Sequence, residues 1–240
     1  ALYTREGVLA SRCFGDLLDP RGAVHFTAYA ARTGEEADLF HGRARFDAGS
    51  AHYQSAVDGV DVALAAALSP EDGSLFLALR LHNGAPAARE LEMTLAFPVA
   101  LCSRDDCWAH PAFQSLFASS ARTPQGALVF ARRSGGPGRS PYALVALAAG
   151  GEVTWETDRA RFEGREGDAP RALSGTLGCT LDPCAALRLR VRLEAGETRD
   201  AHFAIALIPP EEAERWQERN VSGAAGERAR RLAATQARAM

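Results

Sequence analysis

The sequence predicts an all-β fold, a large antiparallel sandwich closed by a short helical segment. Three observations predict it. Apolar residues alternate with polar ones at period two in one stretch after another, and these stretches recur every 10–15 residues. Turn signals separate them: "SPEDGS" at 69–74, with Asp-Gly at its centre, and "NGAPAA" at 83–88. Helix-forming composition gathers only after Pro209-Pro210. The 240 residues suffice for one such domain. A chain of this length buries roughly 70–75% of its unfolded surface, so it needs no staples.

In chain order, "GAVHFTAYAA" (22–31) and "DLFHGRARFDAG" (38–49) read as short strands, the second stopped by glycine. "GVDVALAAAL" (59–68) begins with alternating valines and becomes continuously apolar. "LFLALRLHN" (75–83) puts four leucines on one face. "RELEMTLAFPVAL" (89–101) puts Leu91, Met93, Leu95 and Phe97 on one face and Glu90, Glu92 and Thr94 on the other. Residues 102–126 break this rhythm. They are polar and irregular, with aromatic residues at Trp108, Phe113 and Phe117, and read as an insertion of the kind that is functional, an interface or mobile. "ALVFARR" (127–133) and "YALVALAAG" (142–150) resume the sheet across the glycine-rich 134–141. "LRLRVRLEAG" (187–196) is a half-buried strand with an arginine face, and "TRDAHFAIALIPP" (198–210) is the last strand. "EEAERWQERN" (211–220) has the acidic start of a helix placed behind prolines. The expected division is a sandwich over 1–208 and a helical linker over 209–240.

Composition excludes several function classes. The net charge is −3, so no basic field attracts nucleic acid. All 27 basic residues are arginine. No apolar run reaches the ~18 residues of a membrane span, and the first residues lack the anatomy of a signal peptide. The start without methionine reads as a piece of a longer protein. Five cysteines, an odd number, fit a reducing compartment and argue against a disulfide framework. Cys102/Cys107 and Cys179/Cys184 are spaced too widely for the usual zinc pairs, so no metal is expected. The six histidines show no metal-ligand spacing, and neither a serine elbow nor a phosphate loop is present. Asp105-Asp106 reads as a solvated loop pair, and Asp182-Pro183 as the start of a turn.

The stretch "WETDRARFEGR" (155–165) interleaves six charges with Trp155 and Phe162. Read as one strand, it sends Trp155, Thr157, Arg159 and Arg161 to one side and Glu156, Asp158, Ala160 and Phe162 to the other. One reading makes it a solvated strand whose Asp158 pairs with the Arg188–Arg192 face. The other makes it a polar cleft, with Trp155 stacked on a sugar ring while Asp158, Arg159 and Arg161 bind its hydroxyls. His110 and Phe113, in the insertion, are candidates for contact with a neighbouring domain or glycan.

"HPAFQSLF" (110–117), "ALVFARR" (127–133), "WETDRARFEGR" (155–165) and "LSGTLGCTLDPCAALRLRVRLEAGE" (173–197) occur in that order. Together they resemble the super-sandwich of cyclic β-1,2-glucan synthases. That domain is similar to galactose-mutarotase-like carbohydrate domains and to the sandwich of cellobiose-phosphorylase-type enzymes. The resemblance implies a bacterial parent enzyme that makes and cyclises β-1,2-glucan, with its catalytic acid in an (α/α)6 barrel reached through linker helices. No catalytic residue and no cofactor is carried over, so this chain is not expected to be an enzyme by itself. Its implied partners are that barrel, a β-glucan oligosaccharide and a second copy in a homodimer. Its implied location is cytoplasmic, as a soluble domain of an inner-membrane protein. An autonomous β-glucan-binding module and an aldose-epimerase-type enzyme on the same fold are the alternatives. Glu163 departs from the resemblance, standing where such sequences carry an apolar residue.

Overall fold

The computed structural model describes residues 2–3, 8–11, 24–47, 50–69, 72–133, 143–164 and 172–221. Its strands, in order, are β1 (Leu2–Tyr3), β2 (Val8–Ser11), β3 (His25–Ala30), β4 (Glu35–Asp38), β5 (Arg43–Asp47), β6 (Ser50–Val57), β7 (Val60–Leu68), β8 (Leu75–Asn83), β9 (Arg89–Pro98) and β10 (Cys102–Ser103). Helices α1 (Arg104–Ala109) and α2 (Pro111–Ser115) follow, then β11 (Ala118–Arg122), β12 (Leu128–Arg132), β13 (Ala143–Ala149) and β14 (Glu152–Asp158). Helix α3 (Arg159–Glu163), β15 (Pro183–Leu193), β16 (Thr198–Ile208), a 3-10 turn (Pro210–Glu212) and α4 (Ala213–Asn220) are the remaining described elements. The segments 134–140, 166–170 and 226–240, and Cys13, lie outside the described residues.

Two antiparallel sheets carry the fold. One has eight strands in the order β11-β12-β13-β16-β8-β7-β6-β5, and the other has five in the order β14-β15-β9-β3-β4. A small sheet, β1-β2-β10, stands beside them. The predicted alternation holds where the sheets face each other. Leu91, Met93, Leu95, Leu187, Leu189 and Phe26 from the five-stranded sheet meet Leu64, Leu77, Leu79, Phe203, Ile205 and Leu144 from the eight-stranded one, all at most 5% exposed. The Asp58-Gly59 pair joins β6 to β7 in two residues, with φ of 51° and 78°. That left-handed turn suits the twist of a tight hairpin. The Arg32 and Arg89 guanidiniums hold the Asp58 carboxylate, and Arg32 lowers its pKa from the usual range.

Several elements differ from the sequence reading. The insertion at 102–126 is ordered into α1, α2 and β11 rather than irregular, and β11 becomes an edge of the eight-stranded sheet. Strand β6, "SAHYQSAV", lacks a clean alternation and shows no signal by itself; pairing with β5 and β7 makes it a strand. Strand β15 begins at Pro183, a position where the missing N–H of proline is tolerated.

The helix after the sandwich is docked on it. Strands β8, β13 and β16 turn a second apolar set outward, Phe76, Ala78, Val145, Leu147, Ala204 and Ala206, and Trp216 of α4 covers it. Trp216 is fully buried, and its Nε1 donates to Ser74 Oγ at 2.9 Å. His202 Nε2 lies 2.8 Å from the Asn220 carbonyl, and Asn220 Nδ2 donates to the Trp216 carbonyl at 2.7 Å. Replacing Trp216 by alanine is expected to cost about 3–5 kcal/mol. Trp216→Phe keeps most of the burial but leaves Ser74 Oγ without its donor, and should cost about 1–2 kcal/mol. Urea denaturation of the two variants against wild type measures both, and equal stability of all three would mean that α4 does not dock.

Candidate glycan and interdomain surface

The stretch at 155–165 is a strand that turns into a helix. Strand β14 ends at Asp158, whose Oδ1 accepts from the Ala160 backbone N–H at 3.0 Å and caps α3. Arg159 pairs with Glu163 one turn on at 2.6 Å, and Arg161 reaches back to Asp158 at 3.8 Å. Gly164, with φ of 70°, follows the helix. The amphipathic spacing of this short helix seats Phe162 on Ala96, Cys184 and Ala186, the outer face of the five-stranded sheet. Burial there pushes the Cys184 thiol pKa far up, which leaves it a packing group. The single-strand parity of the sequence reading therefore stops at Asp158, and Arg159 and Arg161 do not share a face with Trp155.

Trp155 stands opposite Leu187 in the register and packs on the main core. The Arg122 guanidinium lies 3.9 Å from its ring centroid. A Cβ on Gly175 would come within 3.5 Å of Trp155 Cζ2, and the Gly175 N–H donates to the Trp155 carbonyl at 2.9 Å. Trp155 Nε1 is buried and has no hydrogen-bond partner among the described residues.

Glu156, 1% exposed, points the other way. It accepts from the Thr157 and Asp158 backbone N–H groups at 2.8 and 3.0 Å, and from the Ser174 hydroxyl and backbone N–H. Burial alone would raise its pKa, but these donors together outweigh burial and lower it. Thr157 Oγ1 donates to the Thr176 carbonyl at 2.8 Å and accepts from Ser120 Oγ at 3.0 Å. Ser120 and Gly178 exchange two backbone hydrogen bonds. Residues 172–182 thereby seal the edge of the sandwich between β14 and β11.

The arginine face of β15 finds partners other than Asp158. Arg190 bonds Glu92 at 2.7 Å and approaches Glu152 at 3.8 Å. Arg188, 8% exposed, donates to Thr94 Oγ1 at 3.0 Å and lies 3.5 Å from Glu92. The reason is register: Asp158 stands opposite Pro183, five residues short of Arg188.

His110 lies between α1 and α2, exposed, its N–H on the Asp106 carbonyl and its own carbonyl accepting from Gln114. Asp106, read as a loop carboxylate, bonds Ser103 Oγ at 2.6 Å at the start of α1. The side chains of Cys107 and Trp108 lie outside the described set. Phe113 is 56% exposed and meets Phe117 edge-on at 5.0 Å, with Arg132 stacked on Phe117. The candidate residues thus fall into two groups at the two ends of β11. His110 and Phe113 precede it, and Trp155 lies under Arg122 at its end. Arg159, Glu163, Phe162, Pro98 and His25 are among the residues that line a small depression. A depression that joins charged and apolar groups suits a polyol or a side chain from another domain. Among the described residues, no three His, Cys, Asp or Glu side chains converge as a metal site.

Sequence reasoning missed Arg122, Ser174 and Gly175. Only the glycines of "SGTLG" hinted at a tight path there, and Gly175 has φ of 73°. Glu156→Gln should cost about 2 kcal/mol, because the Thr157, Asp158 and Ser174 donors lose a charged acceptor. A lowered folded pKa gives stability that is present above the unfolded value, about 4.3, and lost as pH falls through the folded value. Stability of the Gln variant, from denaturant titrations across this acid range, should fall less steeply than that of wild type; parallel curves would deny the carboxylate this role.

Against known proteins, the profile of the glycosyl hydrolase 94 supersandwich domain matches residues 19–234. The cyclic β-(1,2)-glucan synthase NdvB of Rhizobium meliloti (strain 1021) is 32% identical over 146 residues, 55% of this chain but 5% of that protein. Among solved structures, a putative kojibiose phosphorylase from human microbiome aligns over 96% of this chain and 27% of its own, with 8% identity and a TM-score of 0.44. A polysaccharide lyase aligns over 81% of this chain and 26% of its own, with 13% identity and a TM-score of 0.44. With the profile covering nearly the whole two-sheet body, the chain belongs to the glycosyl hydrolase 94 supersandwich domain family.

Proposed function

We propose that this chain is a non-catalytic, carbohydrate-associated sandwich of a β-glucan-processing polypeptide, which supports a helical catalytic barrel and shapes its substrate entrance. The observation that carries this reading is how the 155–165 stretch spends its functional groups. Trp155 lies under Arg122, Glu156 and Thr157 hold the 172–182 segment, and Arg159 is paired with Glu163 and Asp182. Groups committed to internal contacts make a platform rather than a reaction centre. The kinship with a cyclic β-(1,2)-glucan synthase supports a β-1,2-glucan as the material handled. The docked α4 supports a fixed start to the linker toward the barrel, and exposed Phe113 and Leu116 support an interdomain contact beside His110. Among the described residues no helix is long and apolar enough to cross a membrane; placement on the cytoplasmic side of an inner-membrane parent belongs to this proposal.

One observation favours a second reading, an autonomous glycan-binding module: the depression beside Arg159 and Glu163 joins charged and apolar groups. Calorimetric titration of the chain with β-1,2-glucan oligomers separates the two. The platform reading expects no saturable heat. Saturable binding that is lost in Trp155→Ala or Arg159→Ala would replace it with the module.

A further inference from the structure

The sequence holds two asparagines, and one of them, Asn83, is followed by glycine. Asn83 closes β8, where the chain leaves the eight-stranded sheet for β9 of the five-stranded one. The β15–β16 connection makes the return crossing. Asn83 is fully buried, and it ties the two crossings together. Its Nδ2 donates to the Ala87, Glu194 and Leu193 carbonyls at 2.9, 3.0 and 3.3 Å, with one hydrogen shared. Its Oδ1 accepts from the Ala85 N–H at 3.0 Å. Its backbone N–H donates to the Glu197 carbonyl and its carbonyl accepts from the Gly196 N–H, both at 2.9 Å. The Gly84 N–H donates to the carbonyl of Gly59, in the β6–β7 turn, at 3.1 Å.

The same dipeptide is chemically reactive once the chain opens. Glycine has no Cβ to shield its neighbours or restrict its backbone. The Gly84 nitrogen then attacks Asn83 Cγ. A bond forms between them, the Cγ–Nδ2 bond breaks, and Nδ2 leaves as ammonia with the proton that Gly84 gave up. Water opens the resulting cyclic imide. Cleavage at Cγ gives aspartate, and cleavage at the Asn83 carbonyl carbon gives isoaspartate, with the chain running through Cγ. Nothing is oxidised or reduced. In the folded chain the first step is blocked. The Gly84 nitrogen keeps its proton on Gly59, and the carboxamide is fixed by partners at both Nδ2 and Oδ1.

We propose that Asn83-Gly84 is a self-deamidation site which the fold holds closed, and which turns a lasting opening of the sandwich at this end into an irreversible one. The product supplies the irreversibility. A carboxylate at residue 83 faces the carbonyls of Ala87, Leu193 and Glu194, three acceptors that it cannot bond. A buried charge among acceptors strongly disfavours reclosure. Isoaspartate lengthens the backbone by a carbon and displaces Gly84 from Gly59. The second asparagine is a built-in reference: Asn220 precedes Val221, whose branched side chain hinders the same attack.

The test is incubation of the whole chain in mildly alkaline buffer, with and without urea. Peptide mapping then separates asparagine, aspartate and isoaspartate at each position. In urea, residue 83 should convert and residue 220 should not. In buffer, conversion at 83 should be at least ~100-fold slower, because the site opens only with the strands around it. Gly84→Ala should fold: Gly84 lies outside the left-handed region, and an added Cβ would meet the Gly59 carbonyl oxygen at 3.6 Å, an ordinary contact. Its conversion in urea should be several-fold slower than that of wild type. After dilution from urea, converted wild-type chains should stay out of the folded peak in size exclusion, while Gly84→Ala held for the same time returns to it. No conversion at 83 in urea, or equal conversion with and without it, overturns the protected site. Converted chains that regain the wild-type melting temperature overturn the irreversibility.

Discussion

An eight-stranded sheet laid face to face on a five-stranded one cannot bury all its apolar surface in the layer between them. The rest of the structure follows from that mismatch. The shared interior takes the leucines of β8, β9 and β15. What remains is the outer face of β8, β13 and β16 and the overhang at β5. The first is covered by α4 through Trp216, and the second is left open among the described residues, with Phe46 at its tip. Apolar area left in water disfavours the fold by roughly 25 cal/mol per Å², so each surplus face needs either a cover or a partner.

The opposite end of the mismatch is closed by polar chemistry. Strand β14 is an edge of the narrow sheet and β11 an edge of the wide one. Residues 172–182 run between them, fixed by Glu156, Thr157 and Ser120. A buried carboxylate is costly unless fully bonded, and Glu156 meets that condition with donors from three residues. Glu156 and Thr157 of the charged stretch at 155–165, read in the sequence as a packing segment or a polar cleft, contribute to this seam. Its arginine neighbours on β15 form a separate lattice with Glu92, Glu90 and Glu152 on the outer face of the same sheet.

Family membership and local chemistry bear on different questions. The profile match fixes the kind of domain, and the seam accounts for the internal contacts of Trp155, Glu156 and Thr157. Among the groups that face water are Phe113 and Leu116 beside α2 and the edge at β5, and a small depression opens beside Arg159 and Glu163. These are the surfaces on which a neighbouring domain, a glycan or another copy of the chain can act.

The sequence by itself determined the two-sheet class. Period-two alternation is a local property, and in β8, β9 and β15 the alternating residues are the ones that face the core. It also determined the helix behind Pro209-Pro210, whose acidic start and composition are local as well. The tertiary structure decided everything that depends on which strand lies next to which. Strand β6 exists through its two neighbours, α3 forms because Phe162 finds the Ala96–Cys184–Ala186 face, and Arg122 reaches Trp155 only because the edges of two sheets meet. Asp158 could not be placed from its own segment, since its distance from Arg188 is set by the register with β15. Pairing partners and register are long-range choices, fixed by burial over the whole chain, and a linear pattern carries no trace of them.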